Sequence, residues 1–261
     1  MNTFTVDDRG NILRYIDMHC GTSTFDPLVF IHGLGCASSS DYPPVVTSRS
    51  YSKCRSILVD LMGAGFSDKP EDGTYTSTAQ AAVLEKFVAA EPFTQVNLFA
   101  HSAGAFIALK LAKWLPGKLK TLILCAPGLT DYGIARLSEM ASTTEAEFVN
   151  GGFAQLRAQL RAEGGNDAWL GPFAVASPHA LYQWAKSALE DNSGSWLEDL
   201  ARLNTRKGVI LPDTATREDI ARFERAGCSV ELVANAEHMM AYDNPDGLVL
   251  AIGNVLKPGT Y

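Results

Sequence analysis

Short apolar runs alternate along the chain with stretches in which apolar residues recur every three or four positions. TFTV and ILRYIDM flank the turn-forming Asp7-Asp8-Arg9-Gly10-Asn11 and predict a β-hairpin. PLVFIHG and SILVDLMGAG are continuous apolar runs ending at glycine, the pattern of strands buried on both faces. Thr76 to Glu91 carries Ala79, Val83, Phe87 and Val88 at helical spacing. The strand VNLFA follows, then a helix from Ala103 to Leu115, closed by Pro116-Gly117, then the strand LKTLILCA. The rhythm breaks after Pro127. From about Thr130 to Leu203 no strand pattern occurs, and helices are expected over Ala135 to Val149, Phe153 to Ala162 and Pro178 to Leu189. Strand and helix then alternate again: GVIL, a helix near Thr216 to Ala226, SVELVA, and a last helix after Pro245.

Alternating strands and helices with continuously apolar strands predict a mostly parallel α/β sheet with helices on both faces. The expected division is one core domain, residues 1–129 and 204–261, interrupted by a helical insert, 130–203. The insert is rich in large aromatics, among them Phe153, Trp169, Phe173, Tyr182, Trp184 and Trp196. Such an insert is expected to cover the C-terminal edge of the sheet, where open α/β folds bind ligands, with its aromatics shared between its own core and a pocket.

Bulk properties narrow the classes. The 261 residues carry 22 Lys and Arg against 29 Asp and Glu, a formal net charge of −7 with no basic run, which argues against a nucleic-acid partner. The first residues lack the order of a signal peptide, and no apolar run approaches the ~18 residues of a membrane span. The five cysteines (Cys20, Cys36, Cys54, Cys125, Cys228) are scattered and form no CxxC pair, as expected of buried thiols in a cytoplasmic protein. The histidines are equally scattered, so no metal or other cofactor is expected. A small-molecule substrate and a monomer or homodimer, away from membranes, are the expected partners.

Chemistry concentrates where VNLFA meets the following helix. Ala100-His101-Ser102-Ala103-Gly104 spells A-x-S-x-G, close to the G-x-S-x-G of a nucleophile elbow, in which a sharp strand-to-helix turn exposes the serine hydroxyl. The same residues suit a polar turn with Ser102 capping a helix, so the rest of the chain has to decide. A serine needs a base, and after an elbow the expected order is Ser, acid, His. His238 lies four residues beyond the strand end at Ala234, in a loop before a helix. His101 shares the serine's turn, His32 belongs to another loop and His179 to the insert, and each is a poorer base. An oxyanion needs backbone N–H donors. Ala103, next to the serine, is one candidate; Leu34, in His32-Gly33-Leu34-Gly35, is the other.

With these landmarks in order, LVFIHGLG, ILVDLMGAGFSDKP, LFAHSAG and AEHMMAYDNP resemble the α/β-hydrolase superfamily. The run from Asp60 to Pro70 is especially similar to lidded esterases, lactonases, C–C hydrolases and epoxide hydrolases. The resemblance covers nearly the whole chain, least in the insert. It implies a lidded, eight-stranded, mostly parallel sheet and a Ser-His-acid triad with Ser102, His238 and the oxyanion loop at Leu34. Serine at position 102 argues against epoxide hydrolases and haloalkane dehalogenases, which use a carboxylate nucleophile.

The acid departs from the family pattern. Most relatives place it after the strand following the lid, which is Asp213 here, 25 residues before His238. Others end the strand after the elbow with glutamate, where this chain has Ala126, with Asp131 slightly beyond. Asp213 is the expected acid and Asp131 the alternative, though helix capping or a turn accounts for either. Glu237 stands where the family usually has glycine, and no function follows from it. A serine hydrolase acting on an ester or lactone of an apolar molecule is the expected function. A ligand-binding receptor on the same fold, or a lyase or cyclase of specialised metabolism, is the alternative.

Overall fold

The computed structural model describes residues 1–18, 26–51, 54–165 and 167–257. Cys20, one of the expected buried thiols, lies outside them; Cys36, Cys54, Cys125 and Cys228 are buried. Eight strands form one sheet: β1 (Asn2–Thr5), β2 (Ile12–Met18), β3 (Leu28–Ile31), β4 (Ser56–Asp60), β5 (Val96–His101), β6 (Leu119–Cys125), β7 (Arg206–Pro212) and β8 (Ser229–Val233). Their spatial order is β1-β2-β4-β3-β5-β6-β7-β8. The hairpin β1–β2 and the β2–β4 pair are antiparallel, and every later pair is parallel.

The helices follow the strands. α1 (Ser38–Asp41) and α2 (Pro43–Val46) leave β3, α3 (Ser77–Ala90) joins β4 to β5, and α4 (Gly104–Trp114) joins β5 to β6. Between β6 and β7 lie α5 (Asp131–Ala141), α6 (Glu145–Glu147), a π-helical turn (Phe148–Gly152), α7 (Phe153–Glu163), α8 (Asp167–Val175), α9 (Pro178–Ser193) and α10 (Trp196–Arg202). The chain ends in α11 (Arg217–Arg225), α12 (Met240–Asp243) and α13 (Pro245–Leu256). Among the described residues no helix is long and apolar enough to cross a membrane.

The continuous apolar strands are explained by the two cores they separate. Val29 and Ile31 of β3 pack with α3, α4 and Trp184 of α9 on one face; Leu28 and Phe30 pack with Phe99 and α13 on the other. Successive side chains point to opposite faces, so a strand buried on both must be apolar throughout. A third cluster, built on Met140, Phe148, Leu160, Phe173, Leu181 and Tyr182, belongs to the helices between β6 and β7 and meets the sheet's upper edge at Leu34.

Those helices depart from the sequence expectation in one instructive place. A single helix was expected over Ala135 to Val149, but Thr144 interrupts it. Its side chain accepts from the Glu147 N–H while the Glu147 carboxylate accepts from the Thr144 N–H, a reciprocal cap that ends one helix and starts another. The return into β7 is fixed by Lys207, whose buried amine donates to the carbonyls of Leu200, Ala201 and Ala226. These carbonyls lie at helix ends, which leave backbone acceptors without a partner inside the helix.

One contact sets the height of α4 against the sheet. A Cβ added to Gly104, the first residue of α4, would lie 2.5 Å from the His32 carbonyl oxygen. Gly104→Ala must therefore push α4 away from β3. We expect a loss of about 1–3 kcal/mol, the usual effect of overpacking. Thermal unfolding should show it as a lower Tm, and an unchanged Tm would contradict the close approach.

Candidate active site

β5 ends at His101, and the chain turns sharply at Ser102 into α4. Ser102 takes a left-handed φ of 52°, a conformation that costs a residue with a side chain on the order of 1–3 kcal/mol. The turn is held by its own backbone: Ser102 N–H donates to Cys125 C=O at 3.0 Å, and its carbonyl accepts from Ala105 N–H at 3.0 Å. Ala100 is fully buried beside Ile31 and Leu124, with room for a methyl group.

His238 lies in the loop between β8 and α12, with Nε2 3.0 Å from Ser102 Oγ. Burial holds the His238 imidazole below its ordinary value, and the negative charge of Asp243 partly offsets that. His32 is fully buried and committed elsewhere: its Nε2 accepts from Leu61 N–H at 3.1 Å, leaving Nδ1 to donate to the Gly33 carbonyl at 2.8 Å. His101 donates through Nε2 to the His238 carbonyl at 2.9 Å, and burial pushes its imidazole down to about 3. His179 pairs with Glu145 at 2.9 Å in the insert.

The loop after β3 passes directly over the serine. A Cβ on Gly33 would lie 2.9 Å from His101 Nδ1 and 3.3 Å from Ser102 Cβ. The amide N–H groups of Leu34 and Ala103, both singled out from the sequence, have no hydrogen-bond partner among the described residues. The loop's course is set from above. Trp169 of α8 donates its indole N–H to the Leu34 carbonyl at 3.1 Å, and its ring closes on Gly35. That donor was not singled out, because nothing in the spacing of an insert aromatic shows that it reaches a loop 135 residues earlier.

Ser102 and His238 open into a cavity of about 450 Å³, whose lining is mainly apolar. The sheet contributes Gly33, Leu34 and the serine; Leu137, Met140, Leu156, Leu160, Phe173 and Leu181 come from the helices between β6 and β7. At its rim Arg136 of α5 pairs with Glu163 of α7 and donates through Nε to the Tyr132 hydroxyl at 3.2 Å, clasping the two helices.

The carboxylates are arranged differently from expectation. Asp213 is exposed and makes no hydrogen bond to His238; it lines an open crevice with Glu237 and Asp243. Its backbone continues the sheet, Asp213 N–H donating to Val233 C=O at 3.0 Å. Asp131 is exposed in the first turn of α5. Ala126 takes a left-handed φ of 42° at the end of β6. His238 Nδ1 has no hydrogen-bond partner among the described residues. The carboxylate that acts on the ring is that of Asp243, which the sequence reading missed although it lies in the quoted AEHMMAYDNP run. Its carboxylate accepts from Glu237 N–H at 2.8 Å, so position 237 contributes its backbone rather than its side chain. Among the described residues no group of His, Cys, Asp or Glu side chains is placed to hold a metal ion.

The model of the alpha/beta hydrolase family matches residues 28–251 of the chain. The chain belongs to that family. This alpha/beta hydrolase is 38% identical over 106 residues to probable lysophospholipase BODYGUARD 2 of Arabidopsis thaliana, 39% of this chain and 22% of that protein. It is 31% identical over 98 residues to the 2-hydroxymuconate semialdehyde hydrolase of Pseudomonas putida, 38% of this chain and 35% of that protein. The matches thus span about a fifth to a third of the length of these relatives. Among solved structures, an esterase from Exiguobacterium antarcticum superposes with a TM-score of 0.76 at 18% identity, over 99% of this chain and 100% of that one. E-2-(acetamidomethylene)succinate hydrolase gives 0.69 at 21% identity, over 97% of each chain. At such identities the likeness concerns the fold.

The electrostatics of His238 are testable without any substrate. A neutral, buried imidazole should titrate below the ordinary 6.5, and Asp243→Asn should lower it further. The shift should be under about one unit, the reach of an exposed charge, and Asp213→Asn should leave the value in place. Nitrogen-resolved NMR titration of the three proteins checks this; a larger effect from Asp213 would return it to the role expected from sequence.

Proposed function

We propose that the protein is a serine hydrolase that cleaves a carboxylic ester or lactone of an apolar molecule through an acyl-enzyme. The observation that carries this reading is the 3.0 Å contact between His238 Nε2 and Ser102 Oγ, on a left-handed turn facing an apolar cavity. Hydroxyl and imidazole at that distance are a nucleophile and its base.

In the reaction so read, Ser102 Oγ attacks the substrate carbonyl carbon while His238 Nε2 takes the hydroxyl proton. The carbonyl oxygen becomes an oxyanion that accepts from the Leu34 and Ala103 N–H groups, which have no partner among the described residues. The imidazolium then gives its proton to the leaving alkoxide, and the acyl group stays on Ser102. Water, deprotonated by His238, attacks the ester and releases the acid. In a lactone the alcohol and acid remain one molecule. The base must be neutral to act, and burial keeps it neutral to lower pH than an ordinary histidine. The negative charge near the imidazolium comes from Asp243, with Asp213 further out in the same crevice.

The helices of residues 130–203 act in this reading as a lid. They supply most of the apolar wall, and an acyl or alkyl chain laid along Leu137, Met140, Leu156 and Leu160 would bury itself against them. The binding-protein alternative draws support from one observation: among the described residues no carboxylate is hydrogen-bonded to His238 Nδ1. Turnover therefore decides between the two.

Two experiments test the reading. A fluorophosphonate should label the wild-type protein at Ser102, and Ser102→Ala should lose labelling and at least ~10³-fold in kcat on activated esters while keeping its Tm. A folded wild type that neither labels nor turns over would leave the binding reading. For the lid, Leu156→Trp fills the cavity from α7. It should raise KM severalfold for long-chain esters and leave acetyl esters and fluorophosphonate labelling unchanged. Equal kinetics across chain lengths would place the substrate elsewhere.

A further inference from the structure

We propose that His101 is a positioning residue for His238, holding the base through its main chain in place of a carboxylate on its ring. The inference rests on the reading of Ser102 and His238 as nucleophile and base. Its starting point is the bond that ties the nucleophile's strand to the main chain of the base's loop, beside the side-chain contact of His238 with Ser102: His101 Nε2 lies 2.9 Å from the His238 carbonyl oxygen. A carbonyl accepts, so Nε2 carries the proton and Nδ1 is bare. The two rings pack with centroids 4.8 Å apart at 50°.

Apart from the contact of His238 with Ser102, the other polar contacts of this loop are local. Asp243 accepts from Glu237 N–H, and Asn244 donates to the Ala234 carbonyl at 2.8 Å. Both come from residues just downstream, beside Tyr242, whose hydroxyl donates to Asp41 at 2.7 Å, and neither bond reaches β5. Only the bond from His101, among the described residues, refers the His238 backbone to β5. His101 is covalently next to Ser102, so one rigid turn sets the position of both Oγ and the imidazole.

Three further facts suit the role. His101 is 6% exposed and so has one rotamer to keep. Gly33 leaves no Cβ to collide with its Nδ1, so the loop after β3 closes over it without displacing it. Burial and the neighbouring His238 keep it neutral, so it adds no positive charge against the imidazolium that forms during attack. A displacement of the base by about 1 Å costs on the order of 10²-fold in rate, so a single anchoring bond has this much to protect.

The test separates the hydrogen bond from the volume. His101→Phe keeps a ring and removes the donor; His101→Gln places an amide N–H near the position of Nε2. We expect His101→Phe to lower kcat and the rate of fluorophosphonate labelling of Ser102 together by ~10²-fold with KM nearly unchanged. His101→Gln should recover at least tenfold of both. Native rates in His101→Phe, or a Gln variant no better than Phe, would overturn the proposal. If the Phe variant does not fold, the Gln and Asn variants carry the contrast, since the shorter Asn amide falls short of the carbonyl. Gln faster than Asn supports the bond, and equal rates overturn it. A wild type that labels normally while these variants behave as native defeats this inference alone; a wild type that never labels defeats the serine-hydrolase reading itself.

Discussion

The left-handed turn at Ser102 is the constraint on which the upper edge of the sheet depends. A serine at φ 52° is strained, and the strain persists because the turn is over-determined by its neighbours. β5 delivers it between two parallel strands, and Cys125 holds its amide. Gly104 lets α4 start within contact of the His32 carbonyl. A looser turn would let Oγ rotate into the helix as a cap. In the turn as held, the hydroxyl lies 3.0 Å from His238 Nε2 and 3.4 Å from the Gly128 carbonyl.

The same crowding explains the loop after β3. Gly33 and Gly35 are there because His101 lies against one and Trp169 and Phe173 against the other. Gly35 also takes a φ of 74°, natural to glycine alone. The loop is therefore pressed between the elbow below and α8 above. Its Leu34 carbonyl is held by Trp169 while its Leu34 amide is left over. The helices between β6 and β7 thus do two things at once: they wall the cavity and they brace the loop after β3. Movement of α8 would change both.

How much of this was legible in the sequence follows from the range of each interaction. The sheet was legible because burial on both faces writes itself into consecutive apolar residues, and the elbow because its glycine and serine are neighbours. The Asp60 to Pro70 run was legible as a pattern, and the structure gives its reason. The Asp60 carboxylate accepts from Ser39 N–H, Ser39 Oγ and Phe66 N–H, while Gly65 leaves no room for a Cβ beside it. That run is a structural knot tying β4 to α1, which is why it marks the fold more than the substrate. Contacts such as Trp169 to Leu34 join residues far apart through a helix whose rotation the sequence does not reveal. The capping box at Thr144 was visible as T-x-x-E, but the apolar spacing across it suggested one helix.

The expected acid, Asp213, is not brought onto the His238 ring for a related reason. Position after a strand fixes where a backbone goes, and Asp213 is where the topology puts it; the side chain, at the exposed margin of an edge pair, turns to solvent. Charge near His238 comes instead from Asp243, whose first commitment is to the loop backbone at Glu237. An imidazole supported in this way is held by its peptide and steadied by a field. Such a base gains less for its imidazolium than one with a buried carboxylate on Nδ1, because an exposed charge is screened. It also depends more on where its main chain is held. On the proposed reading that need is met by geometry: the end of β5 carries Ser102 and, through His101, holds the His238 carbonyl at 2.9 Å.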